Sequence, residues 1–169
     1  KIPPFFGGGE MIQDVFEEKS TWAELPHKFE AGTPAIAEAI ALAEAIKYIN
    51  NIGLEKIQEY EKYITKYLFE QLNQIKDLSV IGPSPTIDPL RASLATFYVK
   101  GIHSNDIAEI LDSKGICIRS GHHCCQPLHR HIGINSTARV SMNFTTTKEE
   151  INTFIEHLKE TISFLIRNS

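Results

Sequence analysis

Two histidines and two cysteines stand in a row at His122-His123-Cys124-Cys125, with Arg119-Ser120-Gly121 before them and Gln126-Pro127-Leu128 behind. A thiol on such a turn is placed like a nucleophile, because the thiolate is the reactive form and nearby positive charge favours it. Arg119, His122 and His123 are the neighbours that supply that charge. The stretch also admits a metal reading. His122, His123, Cys124, Cys125, His129 and His131 offer six nitrogen or sulfur ligands within ten positions, and zinc accepts both types. Their spacing argues against a cage, since adjacent residues seldom aim at one ion and no Cys-x-x-Cys pair is present. The third cysteine, Cys117, lies in an apolar Ile116-Cys117-Ile118 run and reads as a small buried hydrophobe. An odd number of cysteines, two of them adjacent, suits free thiols in a reducing compartment better than disulfides.

Two more positions invite chemistry. Arg139 stands among the small and apolar residues of Ala138-Arg139-Val140-Ser141-Met142; a guanidinium there either faces solvent or grips a carboxylate through two parallel hydrogen bonds. Thr33-Pro34 reads as a helix start, threonine as N-cap and proline in the first turn. A helix start presents free N–H groups and a positive dipole end to an anion. The glycine run Gly7-Gly8-Gly9 before Glu10 implies unusual backbone dihedrals or a close approach by another group.

The elements that must position these residues follow from periodicity. Ile36, Ile40, Ala43, Ile46 and Ile49 keep a helical rhythm that ends at Gly53. A second helix carries Ile57, Tyr60, Ile64, Tyr67, Leu68, Leu72 and Ile75 on one face as far as Lys76, with both tyrosines expected in the core. Strands are predicted at Leu78–Gly82, Ser93–Val99, Ile116–Ile118 and Ala138–Met142, with a loop through Pro89 between the first two. Ser104 or Asn105 caps a short helix before Lys114-Gly115, and His129–Gly133 forms a helical turn. Thr147-Lys148-Glu149-Glu150 has capping-box spacing ahead of Ile151, Phe154, Ile155, Leu158, Ile162, Leu165 and Ile166. From residue 78 the order is therefore β, β, α, β, β, α behind two longer helices.

The bulk properties set the frame. The 169 residues are 42% hydrophobic and 22% charged with a net charge of −4, which suits a soluble chain about one domain long and gives no basic footprint for nucleic acid. No apolar run reaches the length of a membrane span, and the first residues lack the sections of a signal peptide. A cytoplasmic setting is expected, or the stroma or matrix of an organelle. The chain lacks an initiator methionine and opens like the interior of a longer sequence, so a fragment is expected.

The run Arg119-Ser120-Gly121-His122-His123-Cys124, followed after one residue by Gln126-Pro127-Leu128, closely resembles the cysteine motif of the group II, SufS-type cysteine desulfurases, pyridoxal-phosphate enzymes of the class-V aminotransferase branch. Pro3–Ile12 and Lys28-Phe29-Glu30-Ala31-Gly32-Thr33-Pro34 resemble the same family, in the same order. The resemblance implies an α/β chain with an α+β small domain. It further implies the C-terminal region of a fold-type I enzyme, with a small mixed or antiparallel sheet flanked by helices and preceded by long helices that would link it to an absent large domain. It divides the chain into residues 1–33 (end of the large domain and an interface loop), 34–76 (linking helices) and 77–169 (small domain with the cysteine loop).

The resemblance also implies roles. Cys124 attacks the sulfur of L-cysteine, giving alanine and a persulfide for iron–sulfur cluster assembly. Arg139 holds the substrate carboxylate, with Arg119 as a second group nearby. Thr33, with Gly32 beside it, reaches the phosphate of the cofactor bound by the homodimer partner. His122, His123 and Glu10 are supporting residues, and no metal is implied. The lysine that carries pyridoxal 5'-phosphate belongs to the missing N-terminal large domain, so the isolated chain is expected to be inactive. A sulfur-acceptor protein of the SufE or SufU kind is the implied partner. Cys125 stands where the family commonly has alanine. The alternatives are a selenocysteine lyase of the same branch, or a metal or thiol-relay binding module.

Overall fold

In the computed structural model residues 2–88 and 91–168 are described, so the predicted loop at Pro89 lies outside the described residues. The chain separates between Gly53 and Leu54 into two compact units. The first holds an antiparallel hairpin, β1 (Ile12–Val15) and β2 (Ser20–Trp22), closed by the Phe16 N–H donating to Lys19 O at 2.8 Å. Nothing in the periodicity of the sequence predicts this hairpin. Among the described residues of this unit Met11 alone is fully buried, and Met11 O accepts from the Ala23 N–H at 2.8 Å. The glycine run has a local cause at Gly8. A Cβ there would lie 2.9 Å from Gly32 N and 3.0 Å from the Ala31 carbonyl carbon, so the 31–32 backbone approaches too closely for any side chain.

Helix α1 (Ile36–Ile52) begins later than Thr33-Pro34 predicts. Ala35 is its N-cap and offers no side-chain acceptor, while the Ile36 N–H donates to Pro34 O at 2.8 Å. A proline ring disfavours helical backbone at the residue before it, which keeps Thr33 outside the helix. The other end matches the prediction in residue: Gly53 ends α1 at φ 96°.

The second unit is built on a four-stranded antiparallel sheet of order β3-β4-β6-β5, from β3 (Leu78–Ile81), β4 (Leu94–Val99), β5 (Arg119–Gly121) and β6 (Thr137–Ser141). Strand β4 alternates burial along its length, with Ala95, Phe97 and Val99 inward, the period-two signature of a sheet with one face packed. Against those residues pack Ile64, Leu68 and Leu72 of α2 (Leu54–Leu72), Ile107 and Leu111 of α3 (Ser104–Asp112), and Ile151, Phe154 and Leu158 of α5 (Lys148–Arg167). Helix α5 has the predicted capping box, with the Thr147 hydroxyl accepting from the Glu150 N–H and the Glu150 carboxylate accepting from the Thr147 N–H. The observed α/β architecture is the one predicted.

Several local expectations are corrected. Tyr60 is exposed and donates its hydroxyl to Thr146 O at 2.8 Å instead of entering the core. Ile166 lies on the outer side of α5. His103, not Ser104 or Asn105, caps α3, its Nδ1 accepting from the Asn105 N–H. The third strand of this unit starts after Ile116–Ile118: those isoleucines pack against the core, and the ladder forms one step later, where Arg119, Ser120 and Gly121 face Arg139, Ala138 and Thr137. Cys117 is consequently exposed, with Sγ 3.7 Å from an Asp112 carboxylate oxygen, and is not a buried hydrophobe.

Candidate active site

Strand β6 has two faces. Ala138 pairs with the inward Phe97 and is fully buried, so the flanking Thr137 and Arg139 point to the face away from the helices. Arg119 sits directly opposite Arg139 across the β5·β6 ladder, on the same face. Like charges placed opposite one another repel, and a fold retains such a pair where an anion is to be held between the two. Within this cluster the Arg139 Nε–H is buried without a hydrogen-bond partner. An orphaned buried donor on a guanidinium matches a carboxylate, which would accept from it.

Beyond β5 the chain turns sharply through residues 122–125 into α4 (Gln126–Ile132), which ends at the left-handed Gly133. The Cys125 N–H and thiol both reach His122 O at 2.9 Å. Inside that turn His123 and Cys124 have φ of 50° and 60°, a backbone region that costs non-glycine residues roughly 1 to 2 kcal/mol each. This conformation leaves Cys124 exposed, with an Arg119 guanidinium nitrogen 3.9 Å from Sγ.

His123 is tucked between these groups. Its Nε2 lies 3.2 Å from Thr137 O; since a carbonyl only accepts, Nε2 carries the proton and Nδ1 is a bare acceptor, buried and unpartnered. Burial pushes the His123 pKa down, and the charges of Arg139 and Arg119 push it the same way against the opposing pull of the Thr137 carbonyl. No hydrogen bond joins this buried Nδ1 to the exposed Cys124 thiol, and the ring's place in the cluster is set by its Nε2–H bond to Thr137 O. The His122 ring is exposed and stands edge-on to the His129 ring at 5.4 Å.

The structure therefore brings Cys124, Arg119, Arg139, His122 and His123 into one cluster at the β5·β6 end of the sheet. Glu10, Gly32 and Thr33 lie together in the first unit, lining a cavity of about 180 Å³ with His27, Glu30 and Pro34. Gly32 is left-handed at φ 88°, and its N–H donates to Gly9 O at 3.0 Å. Thr33 is exposed, and the first N–H groups of the following helix have no side-chain cap. Sequence reasoning missed Thr137 and took His129 only as a metal candidate. Both are buried, and His129 Nε2 lies 3.0 Å from the Thr137 hydroxyl. Among the described residues no three His, Cys, Asp or Glu side chains converge to hold a metal ion.

Comparison with known proteins bears on this geometry. Residues 1–154 match the family model for class-V aminotransferases. The chain is 54% identical over 163 residues to a protein of Synechocystis sp. and 46% identical over 163 residues to one of Staphylococcus epidermidis, each described as a probable cysteine desulfurase. Each of these alignments covers 96% of the chain and 39% of the relative's length. Among solved structures, the apo cysteine desulfurase of Thermococcus onnurineus superposes with a TM-score of 0.79 at 38% identity, over 95% of this chain and 39% of that one. The S-sulfonic acid form of an Escherichia coli cysteine desulfurase gives 0.78 at 25% identity, over 96% and 39%.

Proposed function

The chain belongs to the class-V aminotransferase family, and from that premise we propose that it is the C-terminal part of a SufS-type cysteine desulfurase that supplies persulfide sulfur for iron–sulfur cluster assembly. In this reading residues 1–33 close the large domain, 34–76 link the domains and 77–169 form the small domain. The observation that carries it is the exposed Cys124 on a left-handed turn, beside two facing guanidiniums of which one has an unfilled buried donor.

Each residue has a task. Arg139, with Arg119 opposite, takes the carboxylate of L-cysteine and fixes the substrate's orientation. His123, held through Nε2 by the Thr137 carbonyl, supports the turn that presents the Cys124 thiol outward. The Cys124 sulfur attacks the substrate sulfur; as the S–S bond forms and the carbon–sulfur bond breaks, the bonding pair stays with the substrate's β-carbon, which takes up the proton the thiol gives up, so the products are alanine and a persulfide on Cys124. Pyridoxal phosphate, when bound, supplies the electron withdrawal that weakens the substrate's bonds. The residues present fit one end of that cofactor: the exposed Thr33 hydroxyl and the uncapped start of α1 suit a phosphate. The ring and its lysine belong to the part of the enzyme outside these residues, so the 169 residues alone do not sustain turnover. In this reading the enzyme is a cytoplasmic homodimer, and its sulfur leaves to an acceptor protein of the SufE or SufU kind.

The test uses the enzyme that contains this segment, loaded with cofactor. Alanine and sulfide are measured from cysteine for the parent protein and for Cys124→Ser and Cys125→Ser. Loss of both products in Cys124→Ser alone supports the assignment; unchanged turnover in Cys124→Ser overturns it.

A further inference from the structure

The turn that presents Cys124 holds two consecutive non-glycine residues in left-handed backbone, and such a conformation persists only where its surroundings fix it. The fixing groups lie on β6. Thr137 is 1% exposed and serves two histidines at once, its carbonyl meeting His123 Nε2 at 3.2 Å and its hydroxyl meeting His129 Nε2 at 3.0 Å. His129 is 4% exposed and reaches back with Nδ1 to Cys125 O at 3.2 Å. Cys125 in turn closes on His122 O through both its amide and its thiol. His122, His123 and Cys125 are thus tied, directly or in sequence, to one strand residue. Cys124, between them, keeps its thiol outward.

The proton positions follow. The Cys125 carbonyl only accepts, so the His129 Nδ1–H donates to it; in the Nδ1–H tautomer Nε2 is the acceptor, and the Thr137 hydroxyl donates to it. The Cys125 sulfur lies 3.8 Å from the same Nδ1, at the edge of this arrangement.

We propose that Thr137 and His129 are positioning residues that hold the 122–125 turn so that Cys124 alone is presented, and that Cys125 is a member of this tie, not a second sulfur carrier. The proposal rests on Cys124 as the nucleophile, but its test reads thiol accessibility instead of turnover, so it stands or falls separately from the desulfurase reading.

The enzyme that contains this segment is treated with iodoacetamide and the labelling rates of Cys117, Cys124 and Cys125 are mapped by peptide mass spectrometry. Cys124 is expected to react about tenfold or more faster than Cys125, whose labelling waits on local opening of the turn. Thr137→Val keeps the shape and removes the hydroxyl; it should cut that ratio to about threefold or less. Thr137→Ser restores the hydroxyl and the ratio, and the exposed Cys117, which is not part of the tie, keeps its rate throughout. A folded Thr137→Val protein with the parent ratio, or a Thr137→Ser protein that fails to restore it, overturns the proposal. Should Thr137→Val not fold, the nitrogen-15 spectrum of the parent decides: a His129 ring protonated at Nδ1 supports the tie, and one protonated at Nε2 overturns it.

Discussion

Arg119→Gln should stabilise the fold while weakening the site. Arg119 and Arg139 occupy directly opposed positions on β5 and β6, and both charges act on the same His123 ring, which places the two guanidiniums close together. With a charge separation of about 7 Å and an effective dielectric constant of about 50, suited to one exposed and one half-buried group, their repulsion is about 1 kcal/mol. Against this gain the substitution removes only the approach of the Arg119 guanidinium to Cys124 Sγ, which at 3.9 Å is at the limit of a sulfur hydrogen bond. The expected net gain is roughly 0.5 to 1 kcal/mol, or about 2 to 4 °C in melting temperature. Urea unfolding of the parent and variant at low salt measures it, and the difference should shrink by more than half in about 1 M sodium chloride, where screening acts over about 3 Å. A variant that is less stable than the parent at low salt, or a gain that ignores salt, would refute the opposed-guanidinium geometry.

Phe97 is fully buried at the centre of β4 against Phe154; Phe97→Ala should cost about 3 to 5 kcal/mol by urea unfolding, close to the whole stability of a small domain. Thr147→Ala removes one half of the α5 capping box and should cost about 1 kcal/mol in the same assay. Because the folded state holds the His123 pKa below its ordinary value near 6.5, the unfolded chain binds more protons between those two values. This contribution to stability is full above about pH 6.5 and is lost as pH falls through the folded value. The stability of His123→Gln should therefore decline less steeply than that of the parent between about pH 7 and pH 5; parallel declines would show that His123 is not held neutral.

The elements legible in the sequence are those whose own residues determine them. The Thr147–Glu150 box and the spacing of Ile151, Phe154, Ile155, Leu158 and Ile162 specify α5 locally, and the β-branched and aromatic run Leu94–Val99 specifies β4. Elements set by their partners were not legible. Arg-Ser-Gly has no strand propensity, and β5 exists because β6 offers it a ladder; the more apolar Ile116–Ile118 run packs instead. The β1–β2 hairpin lacks alternating burial and is closed by backbone bonds, the Ala23 N–H to Met11 O and the Phe16 N–H to Lys19 O. At the site, Cys124, Arg119, Arg139 and the paired histidines were readable from residue type and from the family motif. The opposition of the two arginines required the strand register, and the Thr137–His129 tie required knowing that both side chains are buried, which a polar residue in a turn-rich stretch does not announce.

Where the sulfur atom sits after turnover separates Cys124 from the other two thiols. The enzyme containing this segment is loaded with cofactor, given L-cysteine without an acceptor, blocked with an alkylating reagent under non-reducing conditions and mapped by mass spectrometry. Cys124 should carry one extra sulfur atom, Cys117 and Cys125 none, with alanine formed in the same amount; extra sulfur on Cys125 or Cys117 with Cys124 unmodified would rule out Cys124 as the sulfur carrier.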